Sequence, residues 1–183
     1  MEKQLKTAEE VLNFWFDPEI QPFWFVKSEH FDTVCRRFEA TLIAAAAGEC
    51  VAWRKTMEGR LAEIIVLDQF SRNLFRDSPQ AFSQDAMALA LAQEAVKHPD
   101  YTALEPVKRK FILMPYMHSE SKLIHRQAVP LFEALGLATS LDFELRHKAI
   151  VDQFGRYPHR NQILNRESTR EEMDFLQQEG SSF

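Results

Sequence analysis

Val151-Asp152-Gln153-Phe154-Gly155-Arg156-Tyr157-Pro158-His159-Arg160-Asn161 is where a helical pattern stops and a polar turn begins. Upstream, Leu141, Leu145, Ile150, Val151 and Phe154 form an apolar helical pattern behind Ser140, read as the cap. Gly155 and then Pro158 force the chain out of helix. The stretch gathers an acid, cationic and imidazole groups, an amide and two aromatic rings around one glycine and one proline. Its first half has an echo, Leu67-Asp68-Gln69-Phe70-Ser71-Arg72-Asn73. Aspartate, glutamine, phenylalanine and arginine recur at identical spacing, 84 residues apart (152 − 68). In both copies the acid precedes the arginine by four, which makes them neighbours on one helix face. The echo suggests duplication without being long enough to establish it.

The rest of the chain reads the same way. Thr7-Ala8-Glu9-Glu10 is a capping box ahead of Val11, Leu12, Phe14, Trp15 and Phe16. Ser28 caps a second helix with the stripe Phe31, Val34, Cys35, Phe38 and Leu42, stopped at Gly48. A third runs from about Glu58 through Leu61, Ile64 and Ile65 to Phe70. Its aliphatic run Ile64 to Leu67 resembles a buried strand, but the periodic flanks favour helix. Ser78-Pro79 opens a fourth and Glu105-Pro106 a fifth, which should break near Pro115. The sixth covers Ser119 to Leu135, kinked or divided by Pro130. The seventh carries the opening motif, and Ser168-Thr169-Arg170-Glu171-Glu172 starts an eighth. The expectation is one all-α domain over residues 1–183, about eight helices, with a tail frayed from about 178.

Composition agrees. Hydrophobic residues are 45% of the chain and charged ones 27%, as in ordinary globular proteins, and fifteen phenylalanines promise an aromatic core. Five glycines leave little provision for an all-β fold. A net charge of −5 argues against nucleic-acid or anionic-membrane binding. No apolar run approaches the ~18 residues of a membrane span. Met1-Glu2-Lys3-Gln4 shows no secretory signal, so Cys35 and Cys50 are expected as reduced thiols in a cytoplasm.

The motif Leu67 to Asn73, Met117-His118-Ser119-Glu120, Gly155 to Asn161 and Ser168-Thr169-x-Glu171-Glu172 together resemble a bacterial family of unknown function, domain of unknown function 924. The likeness runs from Val11 to Leu176. It implies a helical fold like the tetratricopeptide superhelices, although no 34-residue consensus repeats here, and it implies no activity. Ser71 stands where the family often has proline, Asp152-Gln153 where it often has Glu-Arg, and Asn165 where glycine is usual. Asparagine tolerates the left-handed conformation, so that turn should survive.

Arg72, Arg76, Arg156 and Arg160, with Asp68, Gln69, Asn73, Asp152 and Asn161 beside them, are the candidate ligand-binding residues. The guanidinium fork suits carboxylate or phosphate, and if the two helix ends meet, their arginines line one cleft. The competing reading is that the aspartates neutralise them in structural pairs. His118, Glu120 and His159 are the acid–base candidates, since histidine titrates near neutrality. His118 and His125 are too far apart for ordinary helical metal ligation, and no His-Glu-x-x-His occurs, so no metal is expected. Neither a nucleophile motif nor a cofactor-binding glycine pattern is present, and no cofactor is expected. The sequence therefore points first to binding of an anionic small molecule or acidic peptide end in an Arg/His-lined cleft. An enzyme, such as a hydrolase using His118 or His159, and a protein-interaction scaffold are the alternatives. Oligomeric state is not legible.

Overall fold

A computed structural model of the chain describes residues 5–182. The Met1 to Gln4 start and Phe183 lie outside them. Every regular element among the described residues is helical, with no strand among them. They form α1 (Ala8–Trp15), α2 (Glu29–Cys35), α3 (Glu39–Ala46), α4 (Met57–Ile65), α5 (Ser71–Leu74), α6 (Asp85–Ala95), α7 (Pro106–Met117), α8 (Lys122–Leu135), α9 (Ala138–Phe154) and α10 (Arg170–Leu176). A π-helical turn, Val66–Phe70, joins α4 to α5 without a break.

The caps are where the hydrogen-bonding chemistry requires them. Thr7 Oγ1 accepts from the Glu10 amide at 3.1 Å while the Glu10 carboxylate accepts from the Thr7 amide at 2.8 Å. Thr169 and Glu172 repeat the device at α10. Ser28 accepts from the Phe31 amide, and Gly48 and Gly155 take the left-handed conformation expected of helix stops.

Several boundaries differ from expectation. The second helix is split by a 3-10 turn at Arg36–Phe38, whose tighter winding shifts the phase of its apolar stripe. That shift seats the Phe38 ring on Phe70 at 4.6 Å. Pro79 starts only a short 3-10 turn, and the helix proper begins at Asp85. α7 continues past Pro115 to Met117, and α8 contains Pro130 without dividing. α9 starts at Ala138 rather than behind Ser140, which is buried inside it. Residues 178–182 do not simply fray: Ser181 is buried and its hydroxyl donates to the Leu176 carbonyl.

The continuous helix α4–α5 organises the packing. Every residue from Leu61 to Phe70 is buried, as in a helix surrounded on all sides. It packs against α1, α6 and α7, while α6, α7, α8 and α9 each pack on the next. The second half therefore packs helix on helix in chain order. The first half instead wraps around one central helix. Trp15 joins the halves, edge-on to Phe70 at 5.4 Å and to Phe111 at 5.6 Å. Cys35 and Cys50 are free, and burial pushes their thiols up to about 12 and about 11, far from reactivity.

The start of α4 is held by a close approach. Arg54 forks onto the buried Glu63 carboxylate at 2.7 Å for both contacts, tying the 3-10 segment Glu49–Lys55 against the helix. That leaves no room at Gly59, where a Cβ would sit 1.9 Å from the Trp53 carbonyl oxygen. Gly59→Ala is expected to destabilise the protein by about 2 kcal/mol or more, as overpacking against rigid backbone does. Gly136→Ala, which meets no atom and only strains a φ of 76°, should cost about 1 kcal/mol. Urea midpoints that rank the two the other way round would contradict this account.

Candidate functional site

A helix leaves its last carbonyls without intrahelical donors. At the end of α7 three successive ones are each captured by a side chain from elsewhere. The Tyr157 hydroxyl donates to the Met117 carbonyl at 2.5 Å, Arg160 Nη2 to the His118 carbonyl at 3.0 Å, and His125 Nε2 to the Ser119 carbonyl at 2.8 Å. Glu120 continues the series, accepting from the Tyr157 amide at 2.7 Å and from both arms of Arg166 at 2.7 and 2.9 Å. Met117, His118 and Glu120 are thereby fixed to the turn that follows α9, and Ser119 to α8. The Gly155 left-handed stop and Pro158 make that turn, so the sequence signals of the opening motif are what deliver Tyr157 and Arg160.

His118, held this way, meets the π turn. Its Nδ1 lies 2.7 Å from Asp68 Oδ1, and Asp68 is wholly buried. Gln69 Nε2 donates to the other Asp68 oxygen at 2.6 Å, and Arg72 Nη1 donates to Asp68 Oδ1 at 3.2 Å. Arg72 also forks onto Asp85 at 2.8 and 3.1 Å, and Arg160 Nη1 reaches the same carboxylate at 3.3 Å. The Phe82 ring covers both guanidiniums, with centroid distances of 5.6 Å to Arg72 and 4.5 Å to Arg160. Asp68 and Asp85 together balance Arg72 and Arg160, so the cluster has no surplus charge.

Electrostatics assigns the protons. Burial would raise the Asp68 carboxyl, but the neighbouring His118 and Arg72 outweigh it and hold Asp68 ionised, well below the usual range. Burial lowers His118, the Arg72 charge lowers it further, and Asp68 only partly offsets both, so the imidazole is neutral at pH 7. An ionised Asp68 can only accept, hence Nδ1 carries the proton and Nε2 presents a lone pair. The His118 side chain keeps 12% of its surface exposed, and Nε2 has no hydrogen-bond partner among the described residues.

A second imidazole–carboxylate pair lies beneath the first. His125 and Glu144 are both fully buried, 2.7 Å apart, with Glu144 Oε2 unpartnered. Burial raises the Glu144 carboxyl, and the hydrogen bond from His125 only partly offsets it. The buried Tyr157 ring stands between His125, His147 and His159, with centroids 5.6 to 6.3 Å away. Burial also depresses His147 to about 3 and His159 to about 4.

The structure thus brings together Asp68, Gln69, Arg72, His118 and Arg160, with Glu120 and His159 alongside. It separates the others. Asn73 and Arg76 both turn to Asp32, Arg76 at 2.5 and 2.7 Å. Asp152 is exposed and pairs with Lys148, while Arg156 forks onto Glu172 at 2.6 and 2.8 Å and Asn161 joins that carboxylate at 3.2 Å. The acid-to-arginine pair expected in both copies of the echo therefore exists only at Asp68–Arg72. Gly155 breaks the second helix between acid and base and swings Arg156 away. The surplus positive charge expected of the cleft is likewise missing, because each of these arginines faces a carboxylate. Two hollows, about 240 and 300 Å³, lie along α1 and are lined by residues such as Glu10, Asn13, Phe16 and Lys108. Among the described residues no group of three histidine, cysteine or acidic side chains is placed to hold a metal, and no helix is long and apolar enough to cross a membrane.

Asp85, Tyr157, Glu144 and Phe82 were missed from sequence. Tyr157 sat in the quoted motif but passed as a turn residue. Asp85 carries only the ordinary signal of an acid in a helix's first turn, and nothing marks Glu144 or Phe82.

A family model described as a bacterial protein of unknown function (DUF924) matches residues 11–180. A solved structure of a protein of unknown function from Agrobacterium tumefaciens is similar, with 35% identity and a TM-score of 0.85, over 92% of this chain and 96% of that one. No curated protein matches.

The depressed histidines set the acid stability. Unfolded, each binds a proton near 6.5, whereas folded His159 and His147 refuse it until about 4 and about 3. Their contribution is complete above 6.5 and is lost as pH falls through those lower values. Urea midpoints should fall steadily from pH 7 toward pH 4, and His147→Asn should flatten the slope. A midpoint constant across that range would contradict the assignment.

Proposed function

The chain belongs to the DUF924 family, and we propose that it is an acid–base enzyme in which His118 moves protons at a small-molecule substrate. The observation that carries this is the 2.7 Å contact of His118 Nδ1 with buried Asp68, which leaves Nε2 unpartnered among the described residues. A carboxylate behind Nδ1 fixes the tautomer and stabilises the imidazolium once Nε2 has taken a proton, the role of the orienting acid in histidine-based catalysis. In outline, Nε2 removes a proton from water or a substrate hydroxyl as it reacts. The same proton is then available to the departing group. Arg72 and Arg160 stand beside the imidazole, where developing negative charge needs stabilising donors.

Simple trapping of an anion by surplus charge is the weaker reading, since Asp68 and Asp85 match the two arginines. A scaffold reading finds no support at this corner: the large exposed apolar residues, such as Phe25, Val26 and Ile43, include none from 117–120 or 157–161.

Wild type and His118→Gln should be compared across a panel of activated carboxylic and phosphoric esters. Loss of a general base predicts a fall in kcat/KM of about 100-fold or more with unchanged circular dichroism. The acid limb of the wild-type profile should have its midpoint below 6.5, because burial lowers the His118 pKa. Diethyl pyrocarbonate should modify His118 well before buried His125. No turnover on any member, together with equal modification rates for the two histidines, would end this reading.

A further inference from the structure

Arg72 and Arg160 stand at the His118 corner, with Arg76, Arg156 and Arg166 on neighbouring segments, and four of these five have a carboxylate held by two short contacts. Arg72 has Asp85, Arg76 has Asp32, Arg156 has Glu172 and Arg166 has Glu120. Arg160 is the exception, and it is also the most buried, at 6% exposure. Its only carboxylate contact is one N–H at 3.3 Å, to an Asp85 oxygen that already accepts from Arg72. A second N–H serves the His118 carbonyl, and the buried Nε has no partner. The guanidinium is clamped between the rings of Phe82 and Tyr157 at 4.5 and 4.6 Å. A cation removed from water normally needs its donors filled, and here most of them are not.

We propose that Arg160 and Arg72 form the receptor for an oxyanion group, carboxylate or phosphoryl, on the substrate that His118 acts upon, and that Asp85 holds the place such a group takes. This names the substrate class for the acid–base reading and rests on it for the chemistry, though not for the binding. One guanidinium fork and a single N–H of a second guanidinium converge on the Asp85 carboxylate, and paired guanidiniums of this kind recognise planar or tetrahedral oxyanions. Asp85 is the first residue of α6, so once displaced its charge remains stabilised by the amides of the helix start. Phe82, three residues earlier and covering both cations, must move with it, which makes the Pro79–Phe82 turn the point of entry.

The test is a titration of ¹⁵N-labelled wild type with inorganic phosphate, acetate and chloride at constant ionic strength, following the arginine Nε–H resonances. One resonance, absent from Arg160→Lys, should shift saturably with phosphate or acetate and not with chloride. The Arg156 resonance, identified with Arg156→Lys, should stay put. Whichever of phosphate and acetate shifts it at lower concentration identifies the group. Asp85→Asn removes the competing carboxylate and should tighten binding about tenfold or more, the usual worth of a charged hydrogen bond. An unmoved Arg160 resonance in wild type, or one that follows chloride equally, overturns the receptor even if Asp85→Asn fails to fold. His118→Gln separates the two ideas. A phosphate response that survives with no catalysis anywhere in the ester panel counts against the acid–base reading alone. His118-dependent turnover with an unresponsive Arg160 counts against the receptor alone.

Discussion

The candidate site depends on how one helix end is satisfied. The carbonyls of Met117, His118 and Ser119 accept from Tyr157, Arg160 and His125, and none of these donors is local to α7. A left-handed glycine would have ended the helix with less machinery, as happens at α8 and α9. Using side chains of the next helix and of the turn after α9 instead makes the position of His118 conditional on how the second half folds. It also places Arg160 beside His118 as a by-product of capping. The same groups that satisfy the backbone therefore build the polar corner.

Stability alone does not explain the charges assembled there. Burying a carboxylate and two guanidiniums costs several kcal/mol per ion in desolvation, which the mutual attraction only roughly offsets. A well-packed apolar cluster would serve the fold as well. The contrast with the other ion pairs is instructive. Arg156–Glu172 fastens α10 to the turn after α9, and Arg54–Glu63 fastens the start of α4, each with a fully used fork. Around Asp85 two guanidiniums share one carboxylate, and Arg160, which reaches it through a single N–H, is left short of acceptors. That is poor economy for a structural pair, and an incompletely satisfied buried network is where function is usually found.

Local chemistry made the fold legible. Thr7–Glu10, Ser28, Gly48, Gly155 and Thr169–Glu172 are signals whose physics is contained within a few residues, and each appears where it was read. What the sequence misplaced was decided by tertiary packing. Pro115 and Pro130 did not interrupt their helices, and the 3-10 turn at Arg36 to Phe38 exists to seat one ring on another. The site divides along the same line. Asp68 and Arg72 belong to one helix face and could be paired by spacing. Asp85, Phe82 and Glu144 take their places only through packing between separate elements, for which no spacing rule exists.

The internal echo shows how far a spacing rule can mislead. Two copies of Asp-Gln-Phe-x-Arg predict two equivalent ion pairs, yet the backbone beneath them differs. In the first copy the π turn keeps the chain helical through Arg72, so acid and base stay on one face and both point inward. In the second, glycine replaces serine between phenylalanine and arginine, the helix stops, and Asp152 is left on the surface with Lys148. One residue, Ser71 against Gly155, separates a buried charge centre from an ordinary solvent-facing pair. The residues that matter in the second copy are those beyond the stop, Tyr157 and Arg160, because the turn aims them back at the first.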